Sequence, residues 1–154
     1  MIRLVSFAVF LLVSVDALTK FHFNGQLFCN LPKFQYKMII YEWDKYNGDD
    51  PISHMAPVQS HAPHTYRAEA QDTNDGPFDK EFEIYMIMVH SCSNDGKNRE
   101  LRVDLGHYPV KPGDVTRTVN INIHNVGKLT SEKIGKRRFY DGRDVHEVYE
   151  QQFY

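Results

Sequence analysis

Beyond residue 15 this sequence has no apolar run that approaches a membrane span, and it has few of the signatures that accompany catalysis. No Gly-x-Ser-x-Gly surrounds a nucleophilic serine. No Asn-x-Ser/Thr is present, so N-glycosylation is not expected. Neither sign of charge dominates: 18 basic against 20 acidic residues leave a net charge of −2. A phosphate backbone is held by a basic surface that releases counterions, so nucleic acid is excluded as the main partner. Cysteine is scarce. Cys29 and Cys92 allow one intramolecular pairing, which an oxidising compartment would favour; the alternative is two free, buried thiols. The bond would close a long loop, worth roughly 4 kcal/mol on a chain-entropy argument. It would also leave no thiolate for nucleophilic chemistry.

What is present begins with a leader. Arg3 supplies a positive start, Leu4 to Val15 carries no charge, and Val15 and Ala17 place short side chains before Leu18. These are the three parts of a signal peptide over residues 1–17, cleaved between Ala17 and Leu18. A helix of that apolar length rises only about 18 Å, short of a roughly 30 Å hydrocarbon core, so cleavage is expected rather than a transmembrane anchor. The mature chain is expected to be secreted into the extracellular region.

Residues 18–127 read as strands and turns. Phe21, Phe23 and Leu27 alternate with polar neighbours over Lys20–Phe28, and Asn24-Gly25 within that stretch marks a bulge or a close backbone approach. Tyr36–Trp43 is rich in aromatic and β-branched residues. Asn47 to Pro63 reads as a long loop with a short strand near Ile52, and Thr65–Ala70 as a further strand. Asp72 to Pro77 has the residues of a turn. Phe78–His90 alternates and then turns apolar throughout from Ile84 to Val89, the pattern of a strand covered on both faces. Glu100–Leu105 alternates, Tyr108–Gly113 is a loop, and Val115–His124 sets Val119, Ile121 and Ile123 on one face. About seven short strands without a helical period predict an all-β sandwich.

Residues 128–154 differ: basic residues come first and acids last. Val145, Val148, Tyr149 and Phe153 fall at helical spacing, which makes this tail either a short helix or disordered. Gly135, Lys136, Arg137 and Arg138 have the form of a prohormone processing site that would release a peptide starting at Phe139; read plainly, they are a solvated charge cluster. His54, His61 and His64 share one loop and could in principle present imidazoles to zinc. That loop offers no rigid element to fix the rings, so the three are expected to be surface residues, with no metal or other cofactor.

The order Gly25-Gln26-Leu27-Phe28-Cys29, then Met38–Trp43, then Asp75-Gly76-Pro77-Phe78, then His90-Ser91-Cys92 resembles the transthyretin-like proteins of nematodes. The resemblance covers about residues 20–127. It implies a secreted, prealbumin-like or immunoglobulin-like β-sandwich that binds at or beyond the cell surface. The partner would be an extracellular protein, a lipid or a small hydrophobic ligand. The resemblance does not imply hormone transport. The enzyme of the same fold, hydroxyisourate hydrolase, ends in Tyr-Arg-Gly-Ser, whereas this chain ends Gln151-Gln152-Phe153-Tyr154, so no enzyme is expected. The expectation is a non-enzymatic binding or carrier module, with a peptide precursor as the alternative.

Overall fold

The computed structural model describes residues 18–43, 48–53, 55–73 and 80–135. The leader, the turn over residues 74–77, His54, Lys136 to Arg138 and the segment holding Val145, Val148, Tyr149 and Phe153 lie outside the described residues. Leu18 and Gly135 lie within them.

The fold is an all-β sandwich. Ten strands follow in order: β1 (Thr19–Phe28), β2 (Lys33–Glu42), β3 (Asp50–Pro51), β4 (Val58–His61), β5 (Thr65–Asp72), β6 (Glu81–His90), β7 (Arg99–Pro109), β8 (Gly113–Thr118), β9 (Ile121–Asn122) and β10 (Lys128–Leu129). Three of these are two-residue bridges, which leaves seven longer strands among the described residues. The smaller sheet runs β5-β1-β8, with β9 also on β1. In it β1 is antiparallel to β5 but parallel to β8 and β9. The larger sheet runs β10-β7-β6-β2-β3, with β4 beside β3 on the same flank of β2, and is antiparallel throughout.

Alternation builds the core. Phe21, Phe23 and Leu27 of β1 point inward against Met38 and Ile40 of β2 and Phe82, Met86 and Met88 of β6. Phe21 meets Phe82 edge to face across the two sheets, with ring centroids 5.5 Å apart, a geometry aromatic pairs favour. The apolar run on β6 is covered on both faces: Met86 and Met88 are fully buried inside, while Val89 on the opposite face is 2% exposed. Gly25 marks a close approach. A Cβ there would run into the carbonyl of Val119, at the point where β1 changes partner from β8 to β9.

Several boundaries depart from the sequence reading. The long loop contains β4, which pairs Lys33–Tyr36 of β2 with His61–Val58. β7 runs on through the expected Tyr108 loop to Pro109 because a bulge opposite Ile84 and Tyr85 absorbs one extra residue. Gly106, with φ 107°, sits in that bulge. Inward-facing parity therefore shifts from Leu105 to Tyr108, whose ring lies 5.5 Å from that of Phe21. Ordered structure also continues past residue 127. β10 pairs with Arg99 and Glu100, Thr130 N–H donates to the Asn98 carbonyl at 3.1 Å, and Ile134 is buried.

Candidate functional site

Cys29 and Cys92 are joined by a disulfide, with Cα atoms 6.2 Å apart. Cys29 follows β1 and Cys92 lies just beyond β6, so the bond ties one sheet to the other. Two histidines brace this end. His90 is fully buried; its Nε2–H donates to the Val126 carbonyl at 3.0 Å, and its Nδ1 accepts the Cys92 N–H at 3.2 Å. Burial holds this imidazole below its ordinary pKa, in the neutral form. His124 Nδ1 accepts the Asn30 N–H at 3.4 Å and lies 3.5 Å from Cys92 Sγ. The donor atoms of Cys29, Cys92 and His124 fall within 4.8 Å of one another, but sulfurs bonded together are not the thiolates that bind metal.

The two described histidines of the long loop, His61 and His64, do not share a surface. His61 is exposed at the end of β4. His64 corrects the expectation of a surface residue: it is 4% exposed and has φ 58°. Its Nδ1 accepts the Ser60 hydroxyl at 2.9 Å, its Nε2–H donates to the Leu31 carbonyl at 2.9 Å, and its ring packs 4.8 Å from that of Phe34. Its own carbonyl accepts the Leu27 N–H at 2.9 Å. Both ring nitrogens are thus engaged: Nδ1 braces the loop on its own strand β4, Nε2 ties it to the turn after β1, and the backbone carbonyl ties it to β1 itself. The Pro- and Ser-bearing sequence of the loop, read as offering no rigid element, gave no sign of this anchor.

A different constellation stands at the other end of the larger sheet, on its outer face. Tyr41 of β2 and Tyr85 of β6 are cross-strand partners, and their rings stack 5.3 Å apart with an interplanar angle of 11°. The Arg102 guanidinium lies 3.4 Å from the Tyr85 ring centroid, a cation–π contact. The Tyr85 hydroxyl donates to Asp49, and burial together with that carboxylate holds the phenol well above its ordinary pKa. Trp43 follows β2 and its side chain is 38% exposed, while its backbone N–H donates to the Glu83 carbonyl at 2.9 Å. Trp43, Glu83, Tyr85, Arg102, Asp104 and His107 line an open cleft of about 270 Å³.

The bulge assembles this cleft. Without the extra residue, His107 would face the core instead of lying 3.8 Å from Glu83 on the outer surface. The Asp104 carboxylate accepts the Gly106 N–H at 2.8 Å, which fixes the turn of the backbone. The cleft therefore combines the exposed Trp43, one guanidinium and an acidic rim of Glu83 and Asp104. Such a set can stack on and hydrogen-bond a polar or cationic group. None of its residues was singled out in the sequence as a site. The available signal was Gly106 inside an alternating strand, which suggests a bulge.

No protein-family model and no solved structure matches the chain. An uncharacterised protein of Caenorhabditis elegans is 27% identical over 112 residues, covering 69% of this chain and 83% of its own length. Among the described residues, no helix is long and apolar enough to cross a membrane.

Proposed function

We propose that this chain is a secreted, non-enzymatic extracellular binding module of the transthyretin-like kind, and that the aromatic cleft beside Trp43 is its recognition surface. The observation that carries the reading is the half-exposed Trp43 next to the Arg102-capped Tyr85, at the end of the sheet remote from the disulfide. The leader, the bond between Cys29 and Cys92 and the order of motifs support export into an oxidising compartment. The cleft's size and acidic rim favour a polar or basic segment of an extracellular protein over a lipid, whose alkyl chain needs an enclosed apolar channel. The space between the sheets is filled by Phe21, Phe23 and Phe82.

Expression of the full chain in a eukaryotic secretory host tests this reading. The secreted protein should begin at Leu18 and should capture a partner from extracellular fluid. Trp43→Ala and Glu83→Gln should lose that capture while the protein stays folded. Retention of the chain inside the cell, or undiminished capture by both variants, would refute the proposal. A secreted product that ends near Gly135, with activity residing in a peptide from Phe139, would establish the precursor reading instead.

A further inference from the structure

We infer that Cys29, Cys92 and His124 form a zinc site that the disulfide masks and reduction exposes. Zinc prefers four ligands at tetrahedral angles, with bonds of about 2.3 Å to thiolate and about 2.0–2.1 Å to imidazole nitrogen. Those bond lengths place a thiolate and an imidazole nitrogen about 3.6 Å apart along an edge of the tetrahedron. Cys92 Sγ and His124 Nδ1 are already 3.5 Å apart. His124 is also in the right tautomer. Because Nδ1 accepts the Asn30 N–H, the nitrogen that faces the sulfurs carries a lone pair, and the long 3.4 Å bond it makes there is a weak competitor for a metal.

The three ligands stay together without the S–S bond, because their backbones are held by other contacts. Ile123 N–H donates to the Phe28 carbonyl at 3.1 Å, linking the neighbours of His124 and Cys29. Asn125 N–H donates to the Cys92 carbonyl at 3.0 Å, linking the neighbour of His124 to Cys92 itself. His90 fixes the Cys92 N–H from below. With the Cα atoms 6.2 Å apart, rotation of the side chains can open the sulfurs to the roughly 3.8 Å that two thiolates span on one zinc. Cys92 is buried, but Cys29 and His124 are each partly exposed, so the metal has a path in and solvent can supply a fourth, water ligand. Soft thiolates with imidazole select zinc over calcium or magnesium.

A thiol reductant delivers two electrons to the S–S bond and leaves as its own disulfide, its two protons passing to the cysteine sulfurs; a phosphine delivers the same two electrons and leaves as its oxide, with water supplying the oxide's oxygen and both thiol protons. The two cysteine thiols then release their protons to solvent as zinc takes the thiolates. Disulfide and zinc are mutually exclusive at this end of the sandwich, so the same three residues would lock the sheets in either redox state.

The test is titration of the mature chain, reduced with a phosphine under argon, with cobalt(II) and then zinc. The reduced protein should show thiolate-to-cobalt charge transfer with one equivalent, zinc should displace the cobalt, and zinc should raise the melting temperature. The oxidised protein should show none of these. His124→Ala should weaken zinc binding to the reduced chain by at least the roughly 10–100-fold lost when an outer-shell partner is removed. Equal zinc binding by oxidised and reduced protein would overturn the inference. So would undiminished affinity in His124→Ala, or a reduced chain that unfolds and does not recover its β-sheet circular dichroism when zinc is added.

Discussion

His90 and His64 are both buried, and each engages both ring nitrogens, one with a backbone carbonyl and the other with an N–H or hydroxyl donor. For His90 the consequence is a pH dependence. Its folded-state pKa lies below that of an unfolded histidine, near 6.5. As pH falls through about 6.5, the unfolded chain takes up a proton that the folded chain refuses, so stability declines; above about 6.5 both states are neutral and the contribution is flat. One such group limits the slope to about 1.4 kcal/mol per pH unit. Urea unfolding at about pH 5 and about pH 7.5 should therefore show lower stability at the acid value. His90→Gln should shrink that difference, whatever it does to the baseline. An unchanged difference in the variant would show that other groups set the acid limit.

At the scale of elements, the segment after β9 is the clearest addition to the fold. Residues 128–135 cross the outer face of the larger sheet. Lys37 of β2 pairs with Glu132, Asn98 donates to the Glu132 carbonyl, and Ile134 is 5% exposed. Gly127, with φ 105°, opens the path, since a Cβ there would strike the Glu100 carbonyl. A chain ending at Gly135 should therefore melt higher than one ending at Val126. Ile134→Ala alone should cost about 2–3 kcal/mol by chemical denaturation. Equal melting of the two truncations would mean that the segment contributes nothing to stability. The sequence did not reveal this strap for a physical reason: one isoleucine among lysines and glutamate has no period, and its burial depends on the turn after β9 delivering the chain onto the edge of β7. By contrast, β1, β5 and β6 were legible because alternation and a continuous apolar run are local consequences of which face meets the core. The two cysteines were legible from their number alone. Trp43, Arg102, Asp104 and His107 were not, because only strand pairing and the bulge bring them together.

On the whole molecule, the disulfide and the cleft occupy opposite ends of the larger sheet. β2 and β6 run antiparallel, so Tyr36 pairs with His90 beside the bond, while Tyr41 and Tyr85 pair near the cleft. From Tyr85 to His90 the strand rises about 17 Å, too far for contacts at one end to be shared with the other. Stability and recognition should then be separable. Replacing both cysteines, Cys29→Ala with Cys92→Ala, should cost about 2–5 kcal/mol, the usual loss of a native bridge in a small secreted domain. At temperatures where that variant is still folded, it should capture the same partner as the natural protein. Arg102→Ala should behave in the opposite way. Arg102 is exposed, and its contact with Tyr85 is worth about 0.5–1 kcal/mol at such a site, so the melting curve should move little. Partner capture should nevertheless fall sharply, because the guanidinium forms one wall of the cleft and holds the Tyr85 ring in place. Calorimetric melting and a capture assay on both variants measure the two effects side by side. If the folded cysteine-free protein captures nothing while Arg102→Ala captures normally, recognition belongs to the disulfide end and the cleft is only a surface feature.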